Sequence, residues 1–112
     1  MIEGLEYKVG QCLVQTYGDD PKFTDLYQII ETYTTVSHEK RVVYRRVWFS
    51  TDKNCVYDSR FEDSWLKFRN RNRLKVIDDK TFKKIEDSFK TFEKKLKSNL
   101  SEMCQTIREA LD

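Results

Sequence analysis

Glycine, proline and histidine are scarce in this chain: three, one and one in 112 residues. A phosphate-cradling loop needs glycines so that the backbone can approach the anion, and neither GxGxxG nor any comparable glycine loop is present. GxSxG and HExxH are missing too, which removes the nucleophile elbow and the two-histidine zinc site. Cys12, Cys55 and Cys104 are odd in number and far apart, with no CxxC pair or Cys/His cluster. They read as reduced thiols acting as small apolar residues. The sequence leaves a Cys–His nucleophile pair open, but His38 sits in Thr35-Val36-Ser37-His38-Glu39-Lys40, which reads as a solvated turn. The carboxylate pairs Asp19-Asp20, Glu62-Asp63 and Asp78-Asp79 are adjacent in sequence, so their members point different ways and make poor acid–base dyads. No window approaches 18 consecutive apolar residues, so no bilayer span is expected. Met1-Ile2-Glu3-Gly4-Leu5-Glu6 lacks the basic start and apolar run of a secretion signal. The expectation is a cytoplasmic protein that is not an enzyme and takes no metal or cofactor.

What is present is aromatic and charged. Hydrophobic residues make up 38%, charged residues 36% and aromatics 13%, enough for one small core and one domain across 1–112. The net charge of +2 is unevenly laid out. Residues 1–40 hold three Lys against seven Asp or Glu, residues 41–75 hold ten cations against four acids, and residues 76–112 hold eight of each. Seven of the eight arginines fall in the middle block. Arginine is the better residue for bidentate recognition of anions and for stacking, so a partner is first sought there.

The chain divides into a β-rich half, 5–58, and a helical half, 59–112. Residues 7–17 are rich in β-formers around Gly10, a bend or bulge position. Gly18-Asp19-Asp20-Pro21-Lys22 is a turn cluster. Strands follow over 26–36 and 41–49, with Arg45 and Arg46 on opposite faces if the second of these is regular. A turn at Ser50-Thr51-Asp52-Lys53 leads to a short strand over 54–57. Ser59-Arg60-Phe61-Glu62 matches a capping box and predicts a helix over 60–70, with Phe61, Trp65 and Phe68 on one side. Asp78 is placed as the N-cap of the last helix, with Ile77 and Phe82 as its hydrophobic staple. An apolar seam then runs through Phe82, Ile85, Phe89, Phe92, Leu96, Leu100, Met103, Ile107 and Leu111. A continuous helix of about 30 residues at roughly 1.5 Å each would reach nearly 45 Å. Such a rod overhangs a small domain, so either it breaks near Lys97-Ser98-Asn99 or its seam meets another chain.

The order Tyr7-x-Val9-Gly10, an acidic turn, Tyr27-Gln28-Ile29-Ile30, a hairpin and Val42-Val43-Tyr44-Arg45-Arg46-Val47 resembles the strand rhythm of SH3-like and Tudor-type small β-barrels. The resemblance covers residues 7–58 and implies a binding module. It carries over no family site, and the C-terminal helices are no part of it. The fold class expected is α+β: a small antiparallel β-meander or SH3-like barrel, a short helix and a long C-terminal amphipathic helix.

The densest constellation is Trp65-Leu66-Lys67-Phe68-Arg69-Asn70-Arg71-Asn72-Arg73-Leu74-Lys75, in which cations alternate with Asn beside two aromatics. Arg41, Arg45 and Arg46 extend it if their strand lies alongside. The same residues also suit a solvated helix end over a core containing Trp65 and Phe68. The function expected is a non-catalytic binding protein docking an acidic surface through Arg41, Arg45, Arg46, Trp65, Lys67, Phe68, Arg69, Arg71, Arg73 and Lys75. Its concrete form is a small phage or mobile-element inhibitor, of the anti-defence type, of a nucleic-acid-handling enzyme. The second expectation is single-stranded nucleic-acid binding by the same residues. The third is a homodimer through Leu96, Leu100, Met103, Ile107 and Leu111.

Overall fold

Period-2 patterning in the first half and period-3.6 patterning in the second produce a sheet with helices on both its faces. The computed structural model describes residues 7–16, 24–50, 55–71, 74–94 and 100–112. In chain order the elements are β1 (Cys12–Gln15), β2 (Asp25–Thr34), β3 (Lys40–Ser50), β4 (Cys55–Ser64), α1 (Trp65–Arg69), β5 (Leu74–Ile77), α2 (Asp79–Lys94) and α3 (Leu100–Leu111). The five strands form one antiparallel sheet in the order β4-β3-β2-β1-β5. The fold is α+β, and its first four strands are a meander. The turn clusters expected at 18–22 and 51–53 and the helix break expected at 97–99 lie outside the described residues.

Side-chain alternation sorts the sheet into two cores. Cys12, Val14, Leu26, Val47 and Phe49 face α2 and α3, where they meet Phe82, Ile85, Phe89, Met103 and Ile107. Leu13, Tyr27, Ile29, Val42 and Tyr44 face the other way, against Trp65 and Phe68 of α1. Gly10 adopts φ +87°, and its N–H reaches the Ile29 carbonyl at 2.7 Å, so the expected bend precedes β1. His38 turns the β2–β3 hairpin at φ +67°.

Several boundaries differ from the sequence reading. β4 runs through Ser64, so Ser59 and Glu62 are strand residues rather than a capping box. The N-cap of α1 is Ser64, whose hydroxyl accepts from the Lys67 N–H at 3.2 Å. β5 occupies the stretch between the two expected helices, where no strand was expected, and pairs with β1, Leu13 opposite Val76. The C-terminal seam is not one straight rod, because α2 and α3 pack on each other and share one core. Asp78 does cap α2, accepting from the Thr81 N–H at 2.7 Å. Met103 and Ile107 are 3% and 0% exposed, so those two positions are occupied within this chain rather than offered to a second one. Leu111 is half-buried against the same core. Leu96 lies outside the described residues, and of Leu100 only its place at the start of α3 is described.

Candidate binding surface

The described middle-block arginines do not gather on one surface. Arg41 and Arg45 alternate onto the α2/α3 side of β3, and Arg46 takes the α1 side. Arg45 donates to both Asp58 carboxylate oxygens, at 2.9 and 2.6 Å, and is also paired with Glu86 of α2. Arg41 bridges Glu39 at 2.6 Å and Glu62 at 3.2 Å. Arg71 donates to Asp63 at 2.9 Å and to the Tyr44 hydroxyl at 2.7 Å. Arg46 pairs with the buried Asp25 at 3.0 Å. Trp65 and Phe68 are 7% and 0% exposed and belong to the core. Lys67 is exposed beside Asp63 at 3.7 Å. Arg69 is half-exposed and Lys75 exposed, and neither has an ion-pair partner among the described residues. Lys75 lies opposite Val14 in the register, on the α2/α3 side of the sheet. Arg73 lies outside the described residues.

On the α1 side a different set comes together. Arg46 stands with its guanidinium 4.3 Å from the Trp48 ring centroid. Trp48 stacks on Tyr57 across the hairpin at 5.1 Å and meets Phe61 at 6.1 Å. Phe61 stacks on Tyr44 at 5.9 Å, and Tyr44 packs on Phe68 of α1 at 4.8 Å. Asp63, two residues beyond Phe61 on the same side, carries the line to Lys67. The result is a ridge from Arg46 through Trp48, Tyr57 and Phe61 to the outer side of α1, where Leu66 is 61% exposed. Phe61 itself is 37% exposed.

A polar floor fixes this ridge. The Tyr27 hydroxyl donates to Gln15 at 2.8 Å inside the sheet, next to Asp25. Tyr44 donates to Asp63 at 2.6 Å, and burial together with this bond pushes its hydroxyl up to about 12. Burial tends to raise the Asp63 carboxyl, but the hydrogen bonds from Tyr44 and Arg71 outweigh it and hold the group below the usual carboxylate range. The Nε atoms of Arg46 and Arg71 are buried without a hydrogen-bond partner. Rings stand near these guanidinium groups: Trp48 by Arg46, and Tyr27, Tyr44 and Phe68 at 5.4 to 5.7 Å by Arg71. Chemically, the ridge offers apolar contact and braced positive charge, the residue types that anchor protein interfaces.

Sequence reasoning placed Arg46, Lys67 and Arg71 here but passed over Trp48, Tyr57, Phe61 and Asp25. The signal available for the aromatics was the β3–β4 pairing, which sets Trp48 opposite Tyr57 and Tyr44 opposite Phe61. It was obscured by the helix assigned to 60–70.

Cys12 is buried and donates to Asp79 at 3.3 Å. Burial and that carboxylate push its thiol up to about 12, far from a nucleophile's range. Among the described residues no group of three His, Cys, Asp or Glu could hold a metal ion, and no helix is long and apolar enough to cross a membrane. Comparison with known proteins found no matching family model, no matching curated protein and no matching solved structure.

Proposed function

We propose that this chain is a non-catalytic, cytoplasmic binding protein that docks a protein partner through the Arg46–Trp48–Tyr57–Phe61 ridge and the outer side of α1. The observation that carries the reading is the pairing of Arg46 with buried Asp25 beneath a half-buried Trp48. A guanidinium fixed in advance loses less side-chain entropy on binding, so its contact with a partner carboxylate retains more of its strength. Lys67, exposed beside Asp63 at the α1 end of the ridge, adds positive charge there, which suits an acidic rim around an apolar centre. A strand rhythm similar to SH3-like and Tudor-type modules, which are recognition modules, points the same way. The specific form proposed is a small inhibitor of phage or mobile-element origin, acting against defence by covering the working surface of a nucleic-acid-handling enzyme.

Direct binding of single-stranded nucleic acid is the weaker reading, because Trp65 and Phe68, the aromatics it relied on, are enclosed in the core and present no face to a base. Affinity capture from a nuclease-treated extract of the cells that express the gene tests the proposal. One protein should be retained by the wild type and lost with Trp48→Ala/Phe61→Ala, the variant's circular dichroism being unchanged. Retention of no protein, or equal retention by both forms, overturns it. A gel shift of single-stranded DNA or RNA at low salt that disappears in Lys67→Ala/Arg69→Ala would replace it with the nucleic-acid reading.

A further inference from the structure

Among the described strands, β4 is an edge with ten residues and β3 as its one neighbour in the sheet, whereas the opposite edge, β5, has four. Which backbone groups of β4 face outward follows from two separate observations. Ile29 directs its N–H and C=O to Gln11 and Gly10 on the β1 side, so counting through the registers sends the odd-numbered β4 residues toward β3. Val56 gives the same answer directly, because its N–H leaves the sheet to meet the Glu93 carboxylate. Asp58, Arg60 and Glu62 therefore point their backbone donors and acceptors away from the sheet, and none of these groups meets a partner among the described residues. An edge of this length is a template for another strand.

The side chains along that edge select the strand. Arg60 is exposed, lies opposite Arg45 in the register, and forms no ion pair at contact distance among the described residues, feeling only the field of Asp58 two residues away. Asp58 takes two bonds from Arg45 and stays 43% exposed, leaving lone pairs open. On the other side of the strand, Tyr57 and Phe61 bracket Ser59.

We propose that two copies of this chain pair antiparallel through β4, with Ser59 of each on the two-fold axis. In that register Asp58 lies opposite Arg60 of the second copy, and Arg60 opposite its Asp58. Both are outward-facing residues, so each pair exchanges backbone hydrogen bonds as well as charge. Tyr57 lies opposite Phe61 of the second copy, joining the two aromatic ridges into one strip. Sliding the pairing by two residues in total toward the C-terminus sets Arg60 against Arg60 and Asp58 against Glu62. Sliding it as far the other way sets Asp58 against itself. Like charges oppose both slips. Sliding by four sets Arg60 against Glu62 but shortens the paired stretch and takes Tyr57 out of it. The interface differs from the α3 seam; it shares Tyr57 and Phe61 with the partner-binding ridge, but its test reads chain mass and a Ser59 cross-link and needs no other partner.

The test is mass together with a cross-link. Sedimentation of the wild-type chain at about 100 µM should give twice the 13.5 kDa chain mass. Arg60→Asp, which places four acids around the axis, should dissociate the dimer at least tenfold more readily with its circular dichroism unchanged. Ser59 sits at a non-hydrogen-bonded pair, where Cα atoms approach to about 4.5 Å, within disulfide reach. Ser59→Cys should therefore cross-link under mild oxidant, while Phe61→Cys and the wild type with its three native thiols should not. A monomer mass at every concentration overturns the proposal. So does a dimer that survives Arg60→Asp and gives no Ser59→Cys cross-link, and a Phe61→Cys cross-link overturns the register.

Discussion

Arg46 and Asp25 form an ion pair at 3.0 Å across β2 and β3, with the carboxylate buried and the guanidinium resting on Trp48. Among the described residues, removing the cation leaves the buried carboxylate with only the long Tyr27 contact at 3.5 Å. Arg46→Ala should lower the unfolding free energy by about 2 kcal/mol, less than for a wholly buried pair because the arginine is 30% exposed. The analogous Arg41→Ala, at the exposed Glu39/Glu62 pair, should leave the urea midpoint nearly unmoved.

Phe68 and Ile107 plug opposite sides of the sheet, each fully buried. Phe68→Ala and Ile107→Ala should each cost about 3 kcal/mol or more in chemical denaturation. Leu66→Ala, on the exposed side of α1, should stay within about 0.5 kcal/mol. Ile107→Ala behaving like Leu66→Ala would contradict the docking of α3.

Acid should weaken the fold through Asp58 and Asp63. The Arg45 hydrogen bonds hold Asp58 below the usual carboxylate range, and Tyr44 and Arg71 do so for Asp63 against the opposing effect of burial. Both folded values lie under the unfolded value of about 3.9, so the stability they confer is complete above that pH and is lost as pH falls through the folded values. Urea midpoints measured from pH 6 to pH 2 should decline most steeply below pH 4. Asp63→Asn should flatten that decline while lowering the midpoint at pH 6.

Tyr44 works at the other end of the scale. Its hydroxyl, pushed up to about 12, stays protonated where an unfolded tyrosine ionises near 10. Its contribution is complete below pH 10 and is lost as pH rises through about 12. Tyr44→Phe should reduce the alkaline loss of stability seen in urea midpoints between pH 9 and pH 12.

The thiols should separate by burial. Cys55 is half-exposed, whereas Cys12 and Cys104 are buried and Cys12 has its thiol pushed up to about 12. Titration with an aromatic disulfide at pH 8 should show one fast thiol, absent in Cys55→Ser, and two that react only on unfolding. Equal rates for Cys12 and Cys55 would contradict the placement of β1 beneath α2.

The parts of this fold legible in the sequence are those whose signal is local. The Asp78 cap and the Phe82, Ile85, Phe89 stripe were readable because a cap and a helical period need only neighbouring residues. The opposite faces of Arg45 and Arg46 followed from strand alternation alone. Ser59 and Glu62 misled because the capping-box pattern is also local, and pairing overrode it: Glu62 is held by Tyr33 and Arg41, and Phe61 stacks on Tyr44. β5 was invisible because the strand it pairs with, β1, lies about sixty residues earlier. The binding ridge was half legible for the same reason. Its cations stood out as a cluster, but the aromatics join them only through the β3–β4 register, and the acids that tie up Arg41 and Arg45 come from β4, α2 and the hairpin turn.

Hydroxyl-radical footprinting of the captured complex against the free protein shows whether a protein partner rests on the α1 side of the sheet. Trp48, Phe61 and Leu66 should lose reactivity in the complex, while Tyr33, exposed on the opposite side of the sheet, should keep it. Protection of Tyr33 with Trp48 and Leu66 unchanged would place the partner on the α2/α3 side instead.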